Sequence, residues 1–224
     1  MKLNVDKVYC CHHPSQLLSP RKIYLNKFFE DNNIDVEWVE EGTPEQSKSY
    51  DNSKLLDVVM REGPASCRGN FDNSNDLTHK LISLILKHMY CFEDQIKNEY
   101  KNILILEDDA DLFNTFSECY FNNCMEEFSE MNLDILFLGS CCGLHFPFTS
   151  PGKMVYHDAT LRSRCTHCFV VTLDASIKIM NKFPTMFHAA DWQLNHIIEE
   201  ENLSVGWAEP SISQMNYKSS LNWV

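Results

Sequence analysis

Glycine is scarce in this chain, with 7 residues among 224, and that excludes collagen-like and repeat-rich architectures. Basic residues are outnumbered as well: 19 Lys and Arg stand against 32 Asp and Glu, a formal net charge of −13. Phosphate backbones and anionic membranes are bound by clustered Lys and Arg, so neither nucleic acid nor an anionic bilayer is expected as a partner. Long apolar runs are missing. The longest, such as Ile103–Leu106, have four residues, far short of the ~20 that cross a bilayer, so no integral membrane segment is expected. The opening MKLNVDKVYCCHH has neither the apolar core nor the cleavage site of a secretory signal, which points to a cytoplasmic location.

What remains is an ordinary globular composition, 44% hydrophobic and 23% charged. A single domain of this length buries about 70% of its extended-chain surface and needs no staple to fold. Neither a linker nor an internal repeat divides the chain, so one domain over 1–224 is expected. Ten cysteines are present, but Cys10-Cys11 and Cys141-Cys142 are adjacent pairs and Cys67, Cys91, Cys119 and Cys124 are scattered. That layout does not suit a disulfide framework, and reduced thiols are expected. Cys165-x-x-Cys168 has the spacing of half a zinc site, but no second spaced pair completes it. The cysteines read as small apolar residues.

The periodicity alternates between strands and helices. Strands are expected at Val5–Cys11, Ile34–Val39, Ile103–Leu106, Leu133–Gly139, Cys168–Thr172 and Val205–Ala208. Helices are expected from Pro20 to about Glu30, from Leu77 to Ile96 behind an Asp76 cap, and directly after Asp111 to about Met131. Two more run from an Asp174 cap to Phe183 and from Asp191 to Glu201. Segments 40–76, with a short helix near Leu55–Met60, and 140–165 read as long loops. The fold class is α/β, with a largely parallel sheet flanked by helices.

The strand at 103–106 ends in Glu107, Asp108 and Asp109, with Asp111 close behind. These acids emerge at the strand's carboxyl end, where open α/β sheets bind ligands. Adjacent carboxylates repel one another, and either full solvation or a divalent cation relieves them. Mn²⁺ and Mg²⁺ take carboxylate oxygens and commonly share their remaining positions with substrate phosphates. A solvated turn capping the next helix is the plainer alternative.

These residues resemble glycosyltransferase family 25, which includes lipopolysaccharide-type and procollagen galactosyltransferases. Ile-Leu-Glu107-Asp108-Asp109 is similar to its DxD-like element, Pro20-Arg21 to the arginine opening its first helix, and Thr78-His79-Lys80 to its Ser-His motif. The 133–139 strand, the Cys168–Ala175 segment, and Ala190-Asp191-Trp192 with Glu209-Pro210 and Gln214 follow in the family's order. Cys10-Cys11-His12-His13 stands where the family has Asn-Leu, and the family's Gly-x-x-Gly-Cys stretch is absent.

The resemblance implies a single-domain GT-A fold, Rossmann-like, with a largely parallel mixed sheet flanked by helices, a nucleotide-binding half at about 1–140 and an acceptor half at about 141–224. It implies a metal-dependent, inverting transfer of a hexose, galactose or glucose, from a UDP-sugar to a hydroxyl on a glycan or protein. In that scheme Asp109 and Asp108 hold Mn²⁺ or Mg²⁺ with Gln214 as third ligand, ahead of His188 and His196. Glu107, Asp108 and His79 contact the donor, and Asp191 is the general base, its plainer reading being a helix cap. Arg162 and Arg164 are candidates for the diphosphate, and Trp38, Trp192, Trp207 and Trp223 for a sugar platform. Two other functions remain open: a non-catalytic member binding a sugar nucleotide or partner, and a haloacid dehalogenase-like phosphatase built on Asp109-Ala-Asp111.

Overall fold

The computed structural model describes residues 1–14, 19–43, 75–112, 116–141, 143–147, 149–158, 163, 165–183 and 189–215, without the side chains of 19, 75–80 and 215. The expected short helix at Leu55–Met60 lies outside these residues.

Strand β1 (Lys7–Cys11) leads to helix α1 (Ser19–Asp31) and strand β2 (Glu37–Val39). Helix α2 (Asn75–Asn98) precedes strands β3 (Asn102–Glu107) and β4 (Ala110–Leu112), helix α3 (Glu118–Glu130), and strands β5 (Ile135–Phe137) and β6 (Gly139–Ser140). Strands β7 (Val155–His157) and β8 (Cys168–Thr172) are followed by helices α4 (Leu173–Met180) and α5 (Ala190–Glu200). Strands β9 (Val205–Ala208) and β10 (Ser213–Met215) close the order.

Seven strands form the main sheet in the order β2-β1-β3-β8-β5-β9-β7, and β4-β10-β6 form a smaller one. The main sheet is mixed. β1 pairs in parallel with β2 and β3, and β5 with β9, whereas β8 runs antiparallel to both β3 and β5. β7 is antiparallel to β9. The reversal at β8 has a consequence for the site, because its starting end lies beside the carboxyl ends of β1 and β3.

The sheet is buried on both faces, which is why its strands read as continuous apolar runs. Side chains alternate between the faces. Leu104 and Leu106 of β3 join Val8, Cys10, Leu25, Phe29, Phe121 and Phe128 on the side of α1 and α3. Ile103 and Ile105 join Tyr9, Cys11, Ile85, Phe92, Phe169 and Leu194 on the side of α2, α4 and α5. The stripe of α2 runs through Ile82, Ile85, His88, Phe92 and Gln95, all buried.

Local details differ from expectation. β4 follows Asp109 directly where a helix was expected, and α3 starts later, its N-cap Ser117 accepting the Tyr120 N–H. Thr172, not Asp174, caps α4, accepting the Ala175 N–H. α2 begins at Asn75, so Asp76 lies inside it rather than before it. The expectation of reduced cysteines fails at one pair: Cys141 and Cys165 form a disulfide. That also removes Cys165 from any zinc site and takes away the thiol argument for a cytosol-like compartment. Cys10, Cys11, Cys91, Cys124 and Cys168 are buried free thiols, packed as small apolar groups. Among the described residues, no helix is long and apolar enough to cross a membrane.

Candidate active site

The two-residue period of a strand continues past the last apolar residue of β3 and separates the acids. Glu107 follows Ile103 and Ile105 to the α2 face, and Asp108 follows Leu104 and Leu106 to the α1 face. β1 runs parallel beside β3 with Cys11 opposite Glu107, so Cys11 shares the Glu107 face and His12 the Asp108 face. The Asp108 N–H donates to the Cys11 carbonyl at 3.0 Å, and the Glu107 N–H to the His167 carbonyl at 3.0 Å.

On the α1 face, both Asp108 oxygens are engaged. Arg21 Nη1 donates to Oδ1 at 2.6 Å, and His12 Nδ1 lies 2.7 Å from Oδ2. Burial resists ionisation of Asp108, but the His12 and Arg21 contacts outweigh it and hold its pKa below the usual range. A further chain of contacts runs outward: His12 Nε2 stands 4.0 Å from Glu40, which accepts from Lys22 at 2.7 Å. Trp38 packs edge-on against His12 and under the Lys22 ammonium.

On the α2 face, His88 Nε2 faces Glu107 Oε1 at 3.5 Å, with the ring edge-on to Phe169. Burial opposes charge on His88, yet Cys11 and Glu107 raise its pKa to about 9. Burial likewise opposes charge on Glu107, but His88 and the Thr166 hydroxyl hold its pKa down. Contacts with Cys91 and His88 lower Cys11 to about 6 against the cost of burial. His88 thus sits between the sulfur of Cys11 and the carboxylate of Glu107.

Asp109 is the exception. Burial comes first, then repulsion by Glu107 and Asp108, and together they push its pKa up to about 7. Its Oδ1 is buried without a partner. Asp191 is the second position of α5; the N-cap is Ala189, which makes no side-chain cap bond. Asp191 Oδ1 instead accepts the adjacent Trp192 N–H at 2.9 Å. Burial raises its pKa, with Glu107 raising it further and His88 acting the other way.

Gln214 lies on β10 opposite Asp111 of β4 and Ser140 of β6, with its side chain exposed. The side chain of His79 lies outside the described residues, as do His188, Arg162, Arg164 and Trp223. His196 is half-buried on α5. Of the tryptophans, Trp207 is in the core, Trp38 packs on His12, and Trp192 is 45% exposed beside Asp191.

The structure adds residues that the sequence reading did not assign. His12, Arg21 and His88 each hold one of the acids. Thr166 and His167 arrive from the segment behind the Cys141–Cys165 disulfide. A Cβ on Gly139 would collide with the His167 ring, so only glycine admits this packing. Carrying the strand period two residues past Leu106 would have separated Glu107 from Asp108. Nothing in the sequence names partners 87 and 96 residues away.

Buried polar side-chain atoms without a hydrogen-bond partner gather at this edge: Arg21 Nε and Nη2, His88 Nε2, Glu107 Oε1, Asp109 Oδ1 and Ser213 Oγ. Such groups are rare in folded proteins and mark places completed by a ligand, ion or water. Among the described residues, no group of three or more His, Cys, Asp and Glu is arranged to hold a metal by itself.

The model of glycosyltransferase family 25 (LPS biosynthesis protein) matches residues 18–191. No curated protein matches the chain. Among solved structures, a glycosyltransferase involved in the glycosylation of the major capsid of PBCV-1 is 10% identical, with a TM-score of 0.38, over 80% of this chain. The match spans 64% of that protein's chain.

Proposed function

Because the chain belongs to glycosyltransferase family 25, we propose that it transfers a hexose, galactose or glucose, from a UDP-sugar to a hydroxyl of a glycan or protein acceptor. The observation that carries this reading is the collection of unpartnered buried polar atoms around Asp109 at the carboxyl end of β3. In the proposed division, residues up to about 140 bind the donor and the rest bind the acceptor.

A buried carboxylate with an orphaned oxygen and a pKa near 7 suits a divalent cation, and Mg²⁺-type sites need only one or two protein carboxylates beside substrate phosphates. Asp109 would hold the Mn²⁺ or Mg²⁺, with Gln214 the candidate from the smaller sheet. When bound, the ion supplies Lewis-acid stabilisation of the charge that develops on a departing diphosphate. Asp108, with both oxygens engaged, orients the strand end instead of ligating. Glu107, held by His88 and Thr166, accepts a hydrogen bond from the donor's ribose, and His79 is a further donor contact.

Inversion by direct displacement needs a base for the acceptor hydroxyl. Asp191 fills that role: it is not the N-cap of α5, burial raises its pKa, and it lies within electrostatic reach of Glu107. The exposed Trp192 ring next to it offers the acceptor sugar a flat apolar surface. Membership of family 25 sets aside the phosphatase alternative.

The test is a panel of UDP-, GDP- and CMP-sugars, scored for hydrolysis or transfer with Mn²⁺ and with a chelator. Turnover of UDP-galactose or UDP-glucose that disappears in the chelator is expected. Absence of turnover and binding across the panel would leave a non-catalytic member of the family.

A further inference from the structure

We propose that Arg21 is an anion-gripping residue, whose Nε–Nη2 edge takes two oxygens of a phosphate in a nucleoside diphosphate while Asp108 and His12 hold the guanidinium from its other side. This deepens the donor-site reading and rests on it.

Three observations converge. First, the guanidinium is fixed through one nitrogen only: Nη1 bonds Asp108 Oδ1 at 2.6 Å, and Asp108 is itself fixed by His12 at 2.7 Å. Second, Nε and Nη2 are both buried and both lack a partner, while the side chain keeps 10% of its surface exposed at the rim. These two nitrogens form the planar fork that matches a pair of phosphate oxygens. A desolvated cationic donor left unpaired is costly, so its retention calls for an acceptor that arrives from outside. Third, the carboxylate that Arg21 grips, Asp108, is the chain neighbour of Asp109. The guanidinium is thus anchored one residue from the carboxylate proposed to hold the cation, which suits a diphosphate that engages both.

The occupant is an oxyanion with two oxygens in one plane, and the phosphate could belong to a nucleotide or be free. Wild type, Arg21→Gln, Arg21→Lys and Asp108→Asn are titrated calorimetrically with UDP, UMP, uridine and inorganic pyrophosphate, in chelator and with Mn²⁺. Arg21→Gln and Arg21→Lys are expected to weaken UDP and pyrophosphate at least tenfold while uridine changes less than twofold. Failure of Lys to rescue identifies the fork, not the charge, as the determinant. Asp108→Asn, which loosens the guanidinium, is expected to fall between wild type and Arg21→Gln.

Equal losses for uridine and UDP, or UDP affinity within twofold of wild type in Arg21→Gln, would overturn the assignment. Should the variants unfold, the wild type still decides. The chain has five arginines, and pyrophosphate must shift one slowly exchanging Arg Nε–H resonance in its ¹⁵N spectrum. An unchanged spectrum at saturation overturns the proposal. Turnover of a UDP-sugar undiminished in Arg21→Gln would refute this inference and leave the transferase reading standing. Arginine-dependent binding of UDP without turnover of any UDP-sugar would do the reverse.

Discussion

Glu107 and Asp108 are neighbours in sequence and opposites in environment. Asp108 is held at the rim by a guanidinium and an imidazole, and both of its oxygens are occupied. Glu107 points into an aromatic-lined interior where the His88 ring lies between it and Cys11. The only cause is strand pleating, which turns consecutive side chains to opposite faces. Asp109, two residues past the strand, is raised in pKa by burial and by repulsion from both acids, against which Arg21 is the smaller influence. Three like residues in a row thus have three electrostatic fates, so a run of acids should not be treated as a single ligand.

The largest effect expected from breaking this arrangement is on chemistry at the Glu107 face. Asp191→Asn should lower transfer by about 10²–10⁴-fold, the range for loss of a general base, while UDP affinity stays within twofold. Survival of transfer, measured with the best donor of the panel, would remove Asp191 from the mechanism.

Next is stability on the Asp108 face. Asp108→Ala leaves the Arg21 guanidinium buried without a counter-ion, and a loss of about 3–5 kcal/mol is expected in urea unfolding. A loss under 1 kcal/mol would show that the clamp is slack.

Asp109 should respond in the opposite direction. Its folded pKa is raised, so in wild type the native state resists ionisation, and stability is lost as pH climbs from the unfolded value near 4 to about 7. Asp109→Asn should therefore raise the melting temperature in chelator at pH 8, with the gain shrinking toward pH 4. Mn²⁺ should stabilise wild type and not the variant.

The smallest effect concerns His88. Its folded pKa of about 9 lies above the unfolded value near 6.5, so its contribution is complete below pH 6.5 and declines as pH rises to 9. His88→Gln should flatten that stretch of the stability–pH curve. An unchanged slope between pH 6.5 and 9 would show that the imidazole is neutral in the fold.

The parts legible in the sequence were those buried on two faces or along a helical stripe. Ile103–Leu106, Phe169–Val171 and the α2 stripe announce themselves because nothing but apolar residues fits there. That the sheet is mixed came with the resemblance, but which strands are reversed was not legible, since a strand reads the same in either direction; they are β8 and β7. The strands of the smaller sheet have two or three residues, too few to show a period. Of the site, the acids and Asp191 stood out by chemistry and by resemblance. Their partners did not: His12 and Arg21 meet Asp108 only once β1 and α1 are folded against β3, and His88 looks like one more residue of a buried stripe. The Cys141–Cys165 pair was hidden by its neighbours, since each cysteine sits near another that suggested a different role.

That disulfide brings its two Cα atoms to 6.3 Å across a sequence separation of 24. The stretch between them begins just past β6 and ends just before Thr166 and His167, which reach the acids. That stretch also carries β7, the edge strand paired with β9, so a single covalent tie links the outer edge of the main sheet to the residues that reach the acids at its centre.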